Sequence, residues 1–154
     1  MNYRDTYFTP PKDRFLFRGK SPYTTDSGLK EGDWVVGSLE LFTQNNPNTG
    51  ELMCTHFIKK ITEMHCDDSC GGKRHVVEPS TIGQCTGLLD KNGKLIFEGD
   101  ICATRYGDVG KIRRHKNTCS LVIDFPVDWE YLDTVGVLEI IGNIHDNPEL
   151  LPRD

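Results

Sequence analysis

The sequence predicts a mainly β protein, in which many short strands alternate with polar turns. Fifteen glycines and eight prolines are spread over 154 residues, which is typical of a chain with frequent turns. Between the turns lie short runs rich in β-branched and aromatic residues, at near-regular spacing. About nine to eleven such runs favour a sandwich or a small barrel over an alternating α/β fold.

The N-terminal part is predicted to begin with an arm and two strands. Residues 1–13 are polar and contain Pro10 and Pro11, so we expect an irregular arm there. The run 14–20 ends in a glycine-lysine pair and is predicted to be the first strand. A polar, glycine-bearing loop then leads to a second strand at 33–42.

A hairpin and a polar excursion follow. The cluster NNPNTG at 45–50 is a strong turn signal, and the run 51–61 is expected to return antiparallel to the second strand. Residues 65–74 are polar and contain adjacent glycines, and 75–78 form a short strand that ends at a proline. We therefore place an N-terminal β-rich portion at 14–75 and the remaining portion at 76–154, with one continuous domain as the alternative.

The C-terminal portion, residues 76–154, is predicted to be a series of hairpins. Asn92 and Gly93 lie between apolar runs, and both residue types tolerate the positive φ that a tight hairpin turn requires. Asn147 and Pro148 mark a short terminal helical turn, with Asn147 as its N-cap. The predicted strands are 81–89, 94–97, 101–106, 109–114, 118–125 and 135–141.

An ordered set of motifs in these segments resembles the YopX family of phage and prophage proteins. Its central elements are TIGQ (81–84), TGL (86–88), DKNG (90–93) and IFEGDI (96–101). Its closing element is EIIGNIHDNPELL at 139–151, and weaker opening elements lie at 17–20 and 34–39.

The resemblance implies a mostly β protein whose C-terminal part, 76–154, is an SH3-like barrel, with the N-terminal portion packed against it. It also implies a phage or prophage setting and supplies no catalytic residues. Two segments fall outside the family pattern, namely the arm with Pro10 and Pro11 and the polar excursion at 65–74.

A cluster of cysteine and histidine side chains is the first candidate site. His65, Cys66, Cys70 and His75 lie within eleven residues of sequence, and zinc prefers such thiolate and imidazole ligands. A second close cysteine pair is missing, because the other cysteines are scattered along predicted strands, where we expect small buried residues. We therefore predict a polar hairpin tip without a metal or cofactor, and keep a structural zinc site as the alternative.

A basic hairpin, residues 105–116, is the second candidate site. Small β-barrels often bind nucleic acid through a basic face with aromatic side chains. The simpler interpretation is an exposed hairpin whose cations discourage edge pairing. The candidate nucleic-acid-binding residues are Arg105, Lys111, Arg113, Arg114 and Lys116.

The two tryptophans occupy different sequence settings. Trp34 lies in a strong strand pattern and is predicted to belong to the core. Trp129 lies with Tyr131 in a polar stretch, where an exposed aromatic pair is a candidate contact for a partner or a second copy of the chain. Packing of this pair over the mouth of the barrel is the slightly favoured interpretation.

The net charge and the N-terminal sequence argue against some classes of function. The net charge of −5 argues against general polyanion binding. The start MNYRDT lacks the apolar segment of a signal peptide, so we expect a cytoplasmic protein in a bacterial host, with no membrane partner and with free thiols. The expected function is a non-enzymatic accessory protein acting through self-association or a host or phage macromolecule. The alternative is a nucleic-acid-binding module that uses the basic hairpin.

Overall fold

The computed structural model describes residues 15–59 and 73–151, and confirms that the protein is mainly β. Within these ranges the only helical elements are single 3-10 turns, and no helix has both the length and the apolar composition needed to cross a bilayer. The predicted arm at 1–13 lies outside the described residues. The chain forms two compact units that divide between Gly83 and Gln84, whereas the sequence placed the division between residues 75 and 76.

The N-terminal unit contains four antiparallel strands in the order β4-β3-β2-β1. They are β1 (Phe17–Lys20), β2 (Trp34–Asn45), β3 (Leu52–Lys59) and β4 (Arg74–Val76). The predicted hairpin is confirmed, since β2 and β3 pair antiparallel from Ser38 opposite Lys59 to Asn45 opposite Leu52. The strand predicted at 33–42 extends further than expected, to Asn45.

The core of the N-terminal unit is small and lies at the base of this hairpin. Val35, Ile58 and Val77 are buried there, and Phe17, Leu29, Leu39 and Ile82 pack around them. Trp34 was predicted to be a core residue, and this is wrong. It is half-buried, and Arg18 and Lys20 lie over its ring at 4.6 and 5.3 Å from the centroid.

The C-terminal unit contains a hairpin and a five-stranded antiparallel sheet in the order β10-β9-β8-β7-β11. The hairpin is formed by β5 (Gly83–Leu89) and β6 (Leu95–Phe97). The sheet contains β7 (Asp100–Thr104), β8 (Val109–Arg114), β9 (Leu121–Asp124), β10 (Trp129–Tyr131) and β11 (Leu138–Asn143). The described strands form open sheets, and no closed barrel is found among them.

One face of the five-stranded sheet covers the core of this unit. The core contains Ile96, Cys102, Ile112, Ile123, Leu132 and Leu138. The positions of the four cysteines in the described ranges only partly match the prediction of small buried residues. Cys85 and Cys102 are buried, but Cys54 is exposed on β3 and Cys119 is exposed in the β8–β9 loop with a φ of 56°.

The β5–β6 turn forms at Asn92-Gly93, as predicted, but with different backbone geometry. Gly93 has a φ of 78°, whereas Asn92 is not among the residues with positive φ. The Gly93 N–H donates to the Asp90 carbonyl at 3.0 Å, and the Asp90 N–H donates to the Lys94 carbonyl at 2.8 Å. The loop is therefore a turn followed by one left-handed glycine, a common alternative to the two-residue hairpin turn.

Asp90 completes this turn with its buried side chain, which is 1% exposed. Its Oδ1 accepts the N–H groups of Asn92 and Lys94 at 2.8 and 2.9 Å, and its Oδ2 accepts the N–H of Ile140 on β11 at 3.3 Å. Burial opposes ionisation, but the hydrogen bonds from these backbone groups outweigh it and lower the pKa of the Asp90 carboxyl.

The terminal helical turn is also present, but without the predicted cap. A 3-10 turn spans Pro148–Leu150, and Asn147 occupies the N-cap position. The Asn147 side chain makes no capping hydrogen bond, so the prediction of an asparagine N-cap is wrong in its side-chain contact. Such a short element gains little from a cap, because it has only one turn of backbone to satisfy.

Candidate functional site

The outer face of β8, β9 and β10 carries the charged and aromatic residues that the sequence singled out. Because side chains alternate along a strand, Ile112 points to the core while Lys111 and Arg113 lie on the opposite face. Lys111 is directly opposite Asp124 on β9, and Asp124 is directly opposite Trp129 on β10. The strand register therefore forms a row of a cation, a carboxylate and an indole.

Asp124 neutralises part of the predicted basic surface. Its Oδ1 lies 2.6 Å from Nη2 of Arg113, and its Oδ2 lies 3.8 Å from Nζ of Lys111. The hydrogen bond from Arg113 lowers the pKa of the Asp124 carboxyl, outweighing the opposing effect of burial, and the charges of Arg113 and Lys111 lower it further. The same hydrogen bond raises the pKa of Arg113. Two cations thus share one ionised carboxylate, which leaves a net charge of about +1 for the three side chains.

The remaining basic residues do not join this row. Arg114 donates to Oε1 of Gln84 and, at 2.9 Å, to the carbonyl oxygen of Cys119. Arg105 lies over the ring of Tyr106 at 4.6 Å in the β7–β8 turn, and Lys116 is exposed in the β8–β9 turn. These two turns are at opposite ends of β8, so the structure does not bring the five predicted cations together in one patch.

The aromatic pair lies on a strand and not in the polar loop that the sequence predicted. Trp129 and Tyr131 are the first and last residues of β10, and their rings meet edge to face at 5.1 Å. The His115 ring covers part of Trp129, with a centroid distance of 4.5 Å. Trp129 is half-buried, and Tyr131 is 37% exposed. Tyr131 is therefore the member of the pair that is more available to a partner.

A cleft of about 990 Å³ opens at one end of the five-stranded sheet. Three segments line it: the β7–β8 turn at 104–109, the β9–β10 loop at 125–128, and the stretch 134–137 before β11. Two apolar side chains stand at its rim with high exposure, Tyr106 at 75% and Val127 at 98%. The sequence alone did not reveal this cleft; Val127, an aliphatic residue beside a proline between two strands, was the signal available.

Local hydrogen bonds fix the conformation of the β9–β10 loop. The Phe125 N–H donates to the Asp128 carbonyl at 2.7 Å, and Oδ1 of Asp128 accepts the Trp129 N–H at 2.7 Å. The loop also borders a second depression of about 660 Å³, lined by Lys111, Asp124 and Trp129 among others. Val127 is therefore presented on a short, ordered loop between two concave surfaces.

The cysteine and histidine cluster, for which a zinc site was the alternative interpretation, falls mostly outside the described residues. His65, Cys66 and Cys70 belong to the stretch 60–72, and His75 is a half-buried residue of β4, paired with Ile58. In the described ranges no group of three or more histidine, cysteine, aspartate or glutamate side chains is arranged to hold a metal ion.

The motifs that resemble the YopX family agree with a comparison against protein-family models. The family described as YopX protein matches residues 40–152, which is most of the chain. This protein belongs to the YopX family. The YopX match begins in β2 and continues through all strands of the C-terminal unit, so it includes the cleft and the outer face of β8 to β10. A search of curated proteins finds no match.

Proposed function

We propose that this YopX protein is a phage- or prophage-encoded accessory protein that binds a partner protein and has no catalytic activity of its own. The cleft at the end of the five-stranded sheet carries the proposal. Its rim exposes Tyr106 and Val127, at 75% and 98%, on turns that are fixed by hydrogen bonds. Exposed apolar side chains around a concave surface are typical of a protein-binding site.

The charges around the cleft indicate the chemistry of the partner. Asp108, Asp128 and Glu130 line it, and Arg105 is the cation among its lining residues. A segment with apolar side chains and at least one lysine or arginine would complement this surface.

Nucleic-acid binding is the second candidate function. The observation that favours it is the aromatic pair of Trp129 and Tyr131 on the same sheet face as Lys111 and Arg113. Aromatic rings beside cations suit base stacking together with phosphate contacts. Asp124 counts against this function, because its carboxylate already pairs with both cations.

We further propose that the C-terminal unit is related to SH3-like barrels and that the protein acts in the cytoplasm of a bacterial host. The strand order supports the first proposal, since β7 to β10 form a meander and β11 returns beside β7. That is the strand order of an SH3-like barrel. The free thiols of Cys54 and Cys119 are compatible with a reducing compartment.

Site-specific photo-crosslinking in bacterial cells that express the gene tests the protein-binding proposal. A photoreactive residue replaces Val127 in one variant and Asn117, an exposed residue of the β8–β9 turn, in a control variant. We expect position 127 to yield an adduct with one defined protein, position 117 to yield none, and Tyr106→Ala to lower the yield several-fold. The absence of an adduct at 127, or the same proteins captured from 117, would contradict the proposal.

A further inference from the structure

The outer part of the β2–β3 hairpin is a two-stranded ribbon with apolar side chains on both faces. We define this distal ribbon as Leu41–Asn45 of β2 with Leu52–Cys54 of β3, and every residue in it is exposed. By strand alternation and register, Phe42 and Met53 lie on one face, while Leu41 and Leu52 lie on the other. Their exposed fractions are 60% for Leu41, 56% for Phe42, 70% for Leu52 and 45% for Met53.

The β2 edge of the ribbon is also unpaired among the described residues. β1 pairs with β2 only along Trp34–Gly37, and in residues 15–59 and 73–151 no strand pairs with the outer edge of β2 from residue 38 to 45. A free strand edge offers N–H and C=O groups to another strand. Isolated two-stranded ribbons are only marginally stable in water, so a partner on this edge would stabilise it.

The ribbon lacks the charged side chains that usually protect such an edge. Between residues 41 and 54 the only charged residue is Glu51, at the end of the turn. Glu40, just before the ribbon, is engaged by Arg74 of β4 in an ion pair. Natural edge strands commonly carry lysines or other charges that prevent pairing, and this one does not.

We propose that the distal ribbon is a self-association site, at which β2 of one copy pairs antiparallel with β2 of a second copy. A strand edge is complementary to itself across a two-fold axis, because each strand supplies both donors and acceptors. The near absence of charge removes like-charge repulsion between two copies. Because the ribbon has almost no charged residues, it also lacks the charge pattern that would select a different protein as its partner.

The exposed apolar surface of the ribbon would supply a large share of such an interface. If each of the four large side chains has a surface on the order of 150 Å², each copy offers roughly 350 Å² of apolar surface. Two copies together offer roughly 700 Å², before the backbone and the polar ribbon residues are added. Small specific interfaces bury about 1,200 Å² in total. The apolar side chains of the ribbon thus amount to somewhat more than half of the area of a small specific interface.

Sedimentation equilibrium of the full chain over a range of concentrations tests this inference. We expect a dimer, and at least tenfold weaker association in Thr43→Lys, because this substitution places equal charges near the two-fold axis on an exposed β2 residue. Val127→Lys is the matched control: it charges an exposed residue at the rim of the cleft and should leave the dimer unchanged. The crosslinking at Val127 is independent of this result, so the two proposals can fail separately.

Hydrogen exchange of the unmodified protein provides a second measurement that needs no variant. We expect backbone amides in residues 38–45 to become better protected as protein concentration rises, while those of β8 stay constant. A monomer at all concentrations would overturn the inference. An association that Thr43→Lys leaves intact, or that Val127→Lys abolishes, would overturn it as well.

Discussion

Oδ1 of Asp124 accepts a 2.6 Å hydrogen bond from Nη2 of Arg113 on the neighbouring strand. Lys111 approaches the other oxygen of the same carboxylate at 3.8 Å. This arrangement decides how much positive charge β8 can offer to a ligand. One carboxylate thus offsets about half of the positive charge that Lys111 and Arg113 carry.

The first prediction concerns nucleic acid. We expect fluorescence anisotropy with labelled single- and double-stranded DNA and RNA to show no binding that depends on Arg113 and Arg114, even at low salt. The physical reason is that Asp124, Gln84 and the Cys119 carbonyl already accept hydrogen bonds from the two guanidinium groups. The measurement compares the native chain with the Arg113→Ala, Arg114→Ala double variant at low and moderate salt.

The opposite result would promote the second candidate function. Tight binding that falls steeply with salt, and that the double variant abolishes, would show that phosphate contacts displace the internal pairs. In that case Asp124→Asn should tighten binding further, because it releases Arg113 and Lys111.

The second prediction concerns acid stability. Asp90 has a lowered pKa in the folded protein, so its ionised form stabilises the fold above its unfolded pKa of about 3.9, and this contribution is lost as pH falls through the folded pKa. We expect Asp90→Asn to lower the free energy of unfolding at neutral pH by about 1.5–3 kcal/mol, the range for hydrogen bonds to a charged group. The difference between the variant and the native chain should shrink below about pH 4.

Urea unfolding at a series of pH values measures this difference, and Asp133→Asn serves as the control. Asp133 is an exposed carboxylate of the same unit. A difference that stays constant from neutral pH into the acid range would show that the charge of Asp90 has no part in the stabilisation.

The third prediction concerns close packing at Gly110 on β8. A Cβ at this position would lie 2.7 Å from Cγ1 of Ile123 and 2.8 Å from the carbonyl oxygen of Asp124. We expect Gly110→Ala to lower the free energy of unfolding by about 1–3 kcal/mol, because β8 and β9 must separate slightly. The denaturant midpoint measures this effect.

Gly93→Asn is a suitable comparison for the Gly110 variant. Gly93 has a φ of 78° with open space around it, and asparagine tolerates this backbone conformation better than most residues. Its midpoint should change much less. Equal losses in the two variants would argue against tight packing between β8 and β9.

The fourth prediction concerns the ring contact between His115 and Trp129. His115→Ala removes the imidazole that lies 4.5 Å from the indole, so water gains access to that side of the ring. We expect a red shift of Trp129 fluorescence, measured in a Trp34→Phe background so that one indole reports. His115→Phe should preserve the unshifted emission, and a red shift in that variant too would contradict shielding by ring contact.

The residue types that favour turns allowed much of the fold to be predicted from the sequence. The clusters at 45–50 and 90–93 both lie between paired strands, as expected, because their residue types favour turns whatever surrounds them. The end of β2 was less predictable. β2 continues to Asn45 through polar residues, because these residues pair with β3. Whether a polar residue joins a strand depends more on the neighbouring strand than on its own β propensity.

The candidate site was harder to predict, because it depends on register and on distant segments. Sequence proximity grouped the basic residues of 105–116, but the acid that neutralises Arg113 lies on the next strand. The cleft combines three segments that are separated along the chain. No local pattern could show that Tyr106 and Val127 border the same cleft.

The contacts of Asp90 also constrain the order of assembly. β5 and β6 can pair as soon as both are synthesised. Two hydrogen bonds of their turn need residues that are synthesised later: Oδ2 of Asp90 accepts the N–H of Ile140, and the N–H of Lys91 donates to the carbonyl of Leu138. Contacts between residues so far apart in sequence form slowly, because a long loop must close first. The first hairpin of the C-terminal unit is therefore completed by the unit's final strand, and a ribosome-bound chain that ends before β11 should remain protease-sensitive in this hairpin.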